Sequence, residues 1–389
     1  MSDRLRIVDF STHLSGPLAT HLLGELGADV IKVENPRTGD GNRGEFIVVD
    51  DLGLMHLALN SGSRSFAADR RSPEWPEIIA ACARWADAVV VGTRPLDARR
   101  RGMDFDTMQA ANPRIIYAAV SGFGEDGTWR DLTAHGQTID SYAGLVDILD
   151  DGTQPTTRPG WRSTGTTLGG VFTALAITSA LLRRERGFDK AQYVSVSLWH
   201  SAMWWSWRDL TMLANSGKRW VDYSDLGSRY SLYRASDGGV LLVAPAERHF
   251  WEKFVDIVGL PQDWKGVGNW AVSGMDNGGG PDYQHERIAI AGRLATKPRD
   301  EWVGLFAAAE IPCAPILDLE SALASEHAAT NIAMRDVAWG ERTLRVPNCP
   351  VRFGAGPTQL DMPSALTGPP DIGAHNAEVR ELWGLPPAP

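Results

Sequence analysis

Residues 7–36 constrain this chain more than any other stretch, because few arrangements suit their pattern. Ile7-Val8-Asp9-Phe10 is the short apolar run expected of a strand buried on both faces. Leu14-Ser15-Gly16-Pro17 interrupts it. Glycine permits a sharp turn there, and proline suits the first helical position, whose N–H needs no partner. A helical stretch follows to Leu26, Gly27 fits the residue just beyond a helix end, and Asp29-Val30-Ile31-Lys32-Val33-Glu34 reads as a second buried strand. Strand, helix and strand at this spacing predict a βαβ unit with parallel strands. The free N–H groups at the helix start suit an anion, although a purely structural unit accounts for the pattern equally well.

The alternation continues. Ala88-Val89-Val90-Val91, residues 115–120 and Tyr193-Val194-Ser195-Val196-Ser197 read as strands, with helical patterns over 75–85 and 168–184 between them. This predicts an α/β fold, a parallel sheet covered by helices. Near Asp237-Gly238 the grammar changes: two short apolar runs flank a dipeptide favoured in type I′ hairpins, which starts a smaller lobe. The organisation expected is a large domain over 1–215, a small α+β domain over 225–330, and a Pro- and Gly-rich segment over 331–389 that wraps a surface and returns to the large domain.

A net charge of −10 argues against non-specific binding to nucleic acid or to an anionic membrane. An anionic ligand then needs a local cationic pocket. Cys82, Cys313 and Cys349 have neither zinc-site nor disulfide spacing, so no metal is expected and a reducing, cytoplasmic setting is. No signal segment is read at the N-terminus, and no apolar run is read as approaching the roughly 20 residues of a membrane span. Trp199, Trp204, Trp205 and Trp207 suggest core or subunit interface before a ligand wall.

Six blocks carry a resemblance. They are Gly16-Pro17 with residues 27–34, Gly39-Asp40 with Arg43, residues 60–65, Gly92-Thr93-Arg94-Pro95 with Gly102, Ser121-Gly122-Phe123-Gly124 with Gly127, and helix 169–184 leading to residues 192–196. In this order they resemble the class III coenzyme A transferases, a family that includes formyl-CoA transferases, carnitine CoA-transferases and α-methylacyl-CoA racemases. The resemblance implies a doubly wound large lobe, a small lobe, and an interlocked homodimer or a pairing with a related subunit. It implies acyl-CoA as substrate, with no prosthetic group.

The resemblance places Leu14, Ser15, Arg64, Thr93, Arg94, Arg100 and Arg101 around the coenzyme, with Arg37 offset from the family's cation and Ser63 where many relatives have lysine. The physical reading agrees: guanidinium forks match phosphate oxygens, and arginines cluster after a strand end, where open α/β sheets bind ligands. Family transferases attack the thioester with an Asp four residues before the first glycine of the helix, which counts to Gly165 here. Glycine cannot attack, so Asp140 or Asp147 are the candidate substitutes. Family racemases use a His nine residues before a Gly and a Glu of the small lobe, and His135 and Glu247 stand at those positions. An imidazole can take the α-proton of a thioester, and a carboxylate beside it would raise its basicity. Enolate chemistry through His135 and Glu247, CoA transfer by another carboxylate, and a non-catalytic CoA-binding subunit are the three functions expected.

Overall fold

The computed structural model describes residues 4–150, 152–219, 227–270, 274–278, 283–357, 359–361 and 366–387. The chain divides into two units, Met1–Trp207 with Asn331–Pro389, and Arg208–Thr330.

The first unit is built on six strands: β1 (Arg6–Asp9), β2 (Asp29–Glu34), β3 (Arg64–Ala67), β4 (Ala88–Val91), β5 (Ile116–Ser121) and β6 (Gln192–Ser197). All pairings are parallel and the order across the sheet is β6-β5-β4-β1-β2-β3. The order in which successive strands are added reverses between β1 and β4, and a crevice opens at such a switch point beyond the strands' carboxyl ends. Alternation along the strands feeds two cores. Val8, Ile31, Val89 and Tyr117 pack on one face, while Ile7, Val30, Val90 and Ala118 pack on the other. A sheet covered on both faces needs the continuous apolar runs that the sequence displays.

Helix α1 (Ser15–Glu25) connects β1 to β2. It begins two residues earlier than expected, so Pro17 is its third residue; the donor that proline lacks would have no partner at that position either, since the first intrahelical bond is from the Leu18 N–H to the Leu14 carbonyl. A Cβ at Gly16 would overlap Ser11, which is why glycine stands there. Gly27, at φ +105°, closes the helix as expected, with the Ala28 N–H donating to the Leu23 carbonyl.

Helix α2 (Thr164–Glu185) corrects the reading that no apolar run nears membrane length: it has 22 residues and is apolar enough to pass that test. Its buried face, with Gly169, Gly170, Thr173 and Ile177, lies within the first unit, and Ile177 and Ala180 belong to the sheet's core. These packed positions identify it as a sheet-covering helix.

In the second unit, β7 (Ser231–Arg234), β8 (Val240–Val243) and β9 (Cys313–Pro315) form an antiparallel sheet. The hairpin is not the two-residue type I′ turn expected. Ala235 pairs with Gly239 across a three-residue loop with Gly238 at φ +81°, the next most common solution. Trp251, Phe254, Ile290, Trp302 and Phe306 fill this unit's core. Helix α3 (Trp207–Ser216), read as the end of the large domain, lies almost wholly in the second unit.

The C-terminal segment does more than wrap a surface. Its strands β10 (Met334–Trp339), β11 (Arg342–Pro347) and β12 (Leu366–Thr367) form a sheet, and Val379 and Trp383 enter the first unit's core beside Phe66. Of the tryptophans singled out, Trp199 donates its indole N–H to the Tyr142 carbonyl, and Trp204, Trp205 and Trp207 are half exposed or more.

Candidate functional site

Two depressions lie at the carboxyl end of the six-stranded sheet. The larger, about 870 Å³, is walled by the loops after β1 and β4 at the switch point and by residues 132–137. The smaller, about 440 Å³, lies beyond β2 and β3. Thr12 lines both.

A buried charge network holds the floor between them. Lys32 is buried on β2, and its ammonium lies 3.1 Å from Asp9 and 2.8 Å from Asp40. Asp40 accepts the backbone N–H groups of His13 and Asn42 and the Thr12 hydroxyl. Burial would raise its carboxyl, but the Lys32 ammonium and those N–H donors more than offset this and bring it down to about 2. The same two carboxylates raise Lys32 against the effect of its own burial. Glu34, paired with Arg43 at 2.7 Å and accepting the Ser65 hydroxyl, ties the β2 end to β3. The sequence reading took residues 29–34 as a strand and, with Asp40 and Arg43, as parts of the family blocks; the charge pattern Asp9, Lys32, Glu34, Asp40 was the available signal for the network.

The smaller cleft is cationic. Arg37 and Arg101, both expected to meet phosphates, line it together with Arg70 and Arg71. Arg71 pairs with Asp69 at 3.3 Å. The Arg70 and Arg101 guanidiniums have no acidic partner among the described residues. Burial, followed by the charge of Arg101, lowers the pKa of Arg70. Two like charges held together without a counterion favour an arriving anion. The sequence reading missed Arg70 and Arg71. Their signal was the Asp-Arg-Arg cluster directly after a strand end.

Leu14, Ser15, Thr93, Arg94 and His135 all line the larger cavity. Arg94 lies at its wall with its guanidinium donating to Asp97 (2.8 Å) and to the Asp131 carbonyl (2.9 Å). Two expected coenzyme contacts are corrected. Arg64 lines neither depression: it is spent on Asp29 and Glu378, each at 2.6 Å. Arg100 also lines neither, and its exposed side chain points along its helix to Asp97 at 3.9 Å.

His135 precedes the helix Gly136–Tyr142, with its ring free of hydrogen bonds and ion pairs among the described residues. The expected carboxylate partner is not found in its own unit. Glu247 is in the second unit, immediately before the helix Arg248–Val258.

The substitute carboxylates are corrected as well. Asp140 is fully buried and accepts N–H groups from Trp161 (3.1 Å), Thr164 (2.9 Å) and Gly165 (2.8 Å). It caps the start of α2 and has no face toward the cavity. Asp147 is exposed and lines neither depression. Gly165 itself faces inward: a Cβ there would lie 2.8 Å from the Leu198 carbonyl oxygen and from Ile139, and 2.9 Å from Ala202. Its neighbour Thr166 lines the cavity. The only carboxylate among the described lining residues is Glu45, which the sequence reading did not single out. No group of three or more His, Cys, Asp or Glu suited to a metal ion occurs among the described residues.

The sequence profile of CoA-transferase family III matches residues 3–376. An acyl-CoA transferase of Fusarium pseudograminearum is 28% identical over 405 residues, spanning 98% of this chain and 84% of that protein. An acetyl-CoA:oxalate CoA-transferase of Acetobacter aceti is 26% identical over 393 residues, spanning 99% and 96%. A CaiB/BaiF family protein from Brucella suis, 23% identical, superposes with a TM-score of 0.76 over 97% of this chain and 98% of that one, a likeness of fold.

Proposed function

The chain belongs to CoA-transferase family III, and from that premise we propose that it binds an acyl-CoA thioester across the two depressions and passes the coenzyme to a second carboxylic acid. The observation that carries this reading is the shared wall at Thr12, with unneutralised guanidiniums on one side and a partly apolar cavity on the other. Coenzyme A has the same division. Its adenosine 3′-phosphate 5′-diphosphate carries the negative charge that Arg70 and Arg101 lack, and its thioester end is long enough to reach a neighbouring chamber. Thr93, Arg94, Leu14 and Ser15 then flank the passage toward the acyl group. A second copy of the chain, or a related subunit, forms part of this reading.

Mixing the enzyme with acetyl-CoA or succinyl-CoA and an excess of oxalate, followed by chromatography of the thioesters, should reveal oxalyl-CoA. A thioester pool unchanged over hours with all donors, or CoA released only by hydrolysis, would contradict transfer.

The position of His135 on the wall of the larger cavity favours a second reading, proton abstraction from the acyl α-carbon. The imidazole takes the α-proton while the electron pair moves to the thioester oxygen. Solvent deuterium entering the α-position with wild type but not with His135→Ala would support it. Equal incorporation with both proteins would dismiss it.

A further inference from the structure

We infer that Glu45 is the attacking carboxylate of the transfer reaction, aimed into the cavity by His13; this rests on the transfer reading above. His13 is a non-glycine residue at φ +66°, a left-handed conformation that side chains rarely adopt. It is held there from several sides. Its N–H donates to Asp40 Oδ1 at 3.1 Å, its carbonyl accepts the Asn42 side-chain amide, and Asp40 is fixed in turn by the buried Lys32. A Cβ on Gly41 would collide with the His13 ring, so glycine at 41 leaves the ring its place. Conformations of this kind persist only where the surroundings over-determine them, and they gather at functional sites.

The arrangement brings the His13 Nδ1 to 3.4 Å from a Glu45 carboxylate oxygen. Both side chains are about half exposed, at 50% and 44%, and both line the larger cavity. His13 thus restrains a carboxylate without burying it. Thr166, on the helix that carries the family acid, lines the same chamber with only a hydroxyl. Glu45 is the carboxylate that the chamber does hold among its described lining residues.

The chemistry balances with no further reagent than the acceptor acid. A Glu45 oxygen forms a C–O bond to the thioester carbonyl carbon as the C–S bond breaks, and the coenzyme leaves as thiolate. The product is a mixed anhydride. The thiolate then attacks the Glu45 carbonyl carbon, forming a glutamyl thioester and releasing the donor carboxylate. The acceptor carboxylate repeats the two steps in reverse, which regenerates Glu45. No net proton or electron is consumed. His13 acts as a positioning residue, because its 3.4 Å contact is with Glu45 and not with the reacting atoms.

The test is trapping during turnover. Wild-type enzyme is incubated with acetyl-CoA or succinyl-CoA, oxalate and hydroxylamine, then digested and read by mass spectrometry, with thioester exchange followed in a parallel sample. A hydroxamate on Glu45, dependent on acyl-CoA, is the expected result. Glu45→Gln should lose at least a hundredfold in kcat while keeping its melting temperature and CoA affinity. His13→Asn, whose side chain tolerates the left-handed backbone, should lower kcat with little change in KM for the CoA donor. Turnover with the hydroxamate on another residue, or full turnover by Glu45→Gln, overturns the assignment of Glu45 and leaves transfer standing. Absence of both turnover and label overturns the two together.

Discussion

Gly165→Asp should unfold at markedly lower temperature or denaturant than wild type, whereas Thr166→Asp should remain folded. The contrast follows from one helical step. At 165 the added Cβ would lie 2.8 Å from the Leu198 carbonyl oxygen and 2.9 Å from Ala202, so backbone or α-helical packing must move. The new carboxylate would also be buried beside Asp140, which already accepts the Gly165 N–H. Overpacking costs about 1–3 kcal/mol and an unpaired buried charge several more, so a loss of about 3 kcal/mol or greater is expected from denaturant melts. Thr166 lines the cavity in the first turn of α2, where the helix dipole favours a negative charge. Its replacement by Asp should cost less than about 1 kcal/mol. Placed in a Glu45→Gln background, Thr166→Asp should also restore part of the lost transfer rate. Equal stability of the two Asp variants would contradict the orientation of this turn.

Removal of Arg70 and Arg101 should weaken binding of CoA without weakening the fold. Hydrogen bonds to charged groups contribute about 1.5–3 kcal/mol, so each Ala variant should raise Kd roughly 10- to 100-fold, and the double variant more. The two guanidiniums now repel each other without a counterion, since the Arg101 charge acts with burial to lower the pKa of Arg70. Truncating either should leave the melting temperature of the free protein unchanged or raise it. A pantetheine thioester, which lacks the nucleotide phosphates, should bind wild type and double variant alike. Titration calorimetry at low and moderate salt reads the two affinities, and a thermal melt of the free proteins reads the stability. If the pantetheine thioester lost as much affinity as CoA, the cleft would not be holding phosphates.

Much of this architecture was legible because it rests on local rules. Buried parallel strands must be apolar runs, and Gly27 must follow a helix that turns back at once into a strand. Leu14, Ser15, Thr93 and Arg94 were placed by the family resemblance rather than by local rules, and they line the larger cavity on either side of the switch point. What could not be read depends on which distant groups meet. Arg64 looked like a phosphate ligand until the fold brought it to Asp29 and Glu378. Asp140 looked available until α2 arrived 24 residues later and presented its free N–H groups. The count back from Gly169 ends at Gly165, one position short of Thr166, which lines the chamber. Only the packing of Gly165 against Leu198 shows that 166 faces the chamber. Glu45 carries no local signature, because a loop with Phe46, Asp50 and Asp51 at positive φ delivers it.

Hydrogen–deuterium exchange of the wild-type protein with and without CoA tests most directly that one ligand occupies both depressions. Bound coenzyme should slow exchange in two separate segments, residues 68–71 at the cationic cleft and residues 132–139 around His135, with the loop at 11–15 protected between them. Protection confined to one of these segments, or found only in the second unit, would contradict a thioester lying across the wall at Thr12.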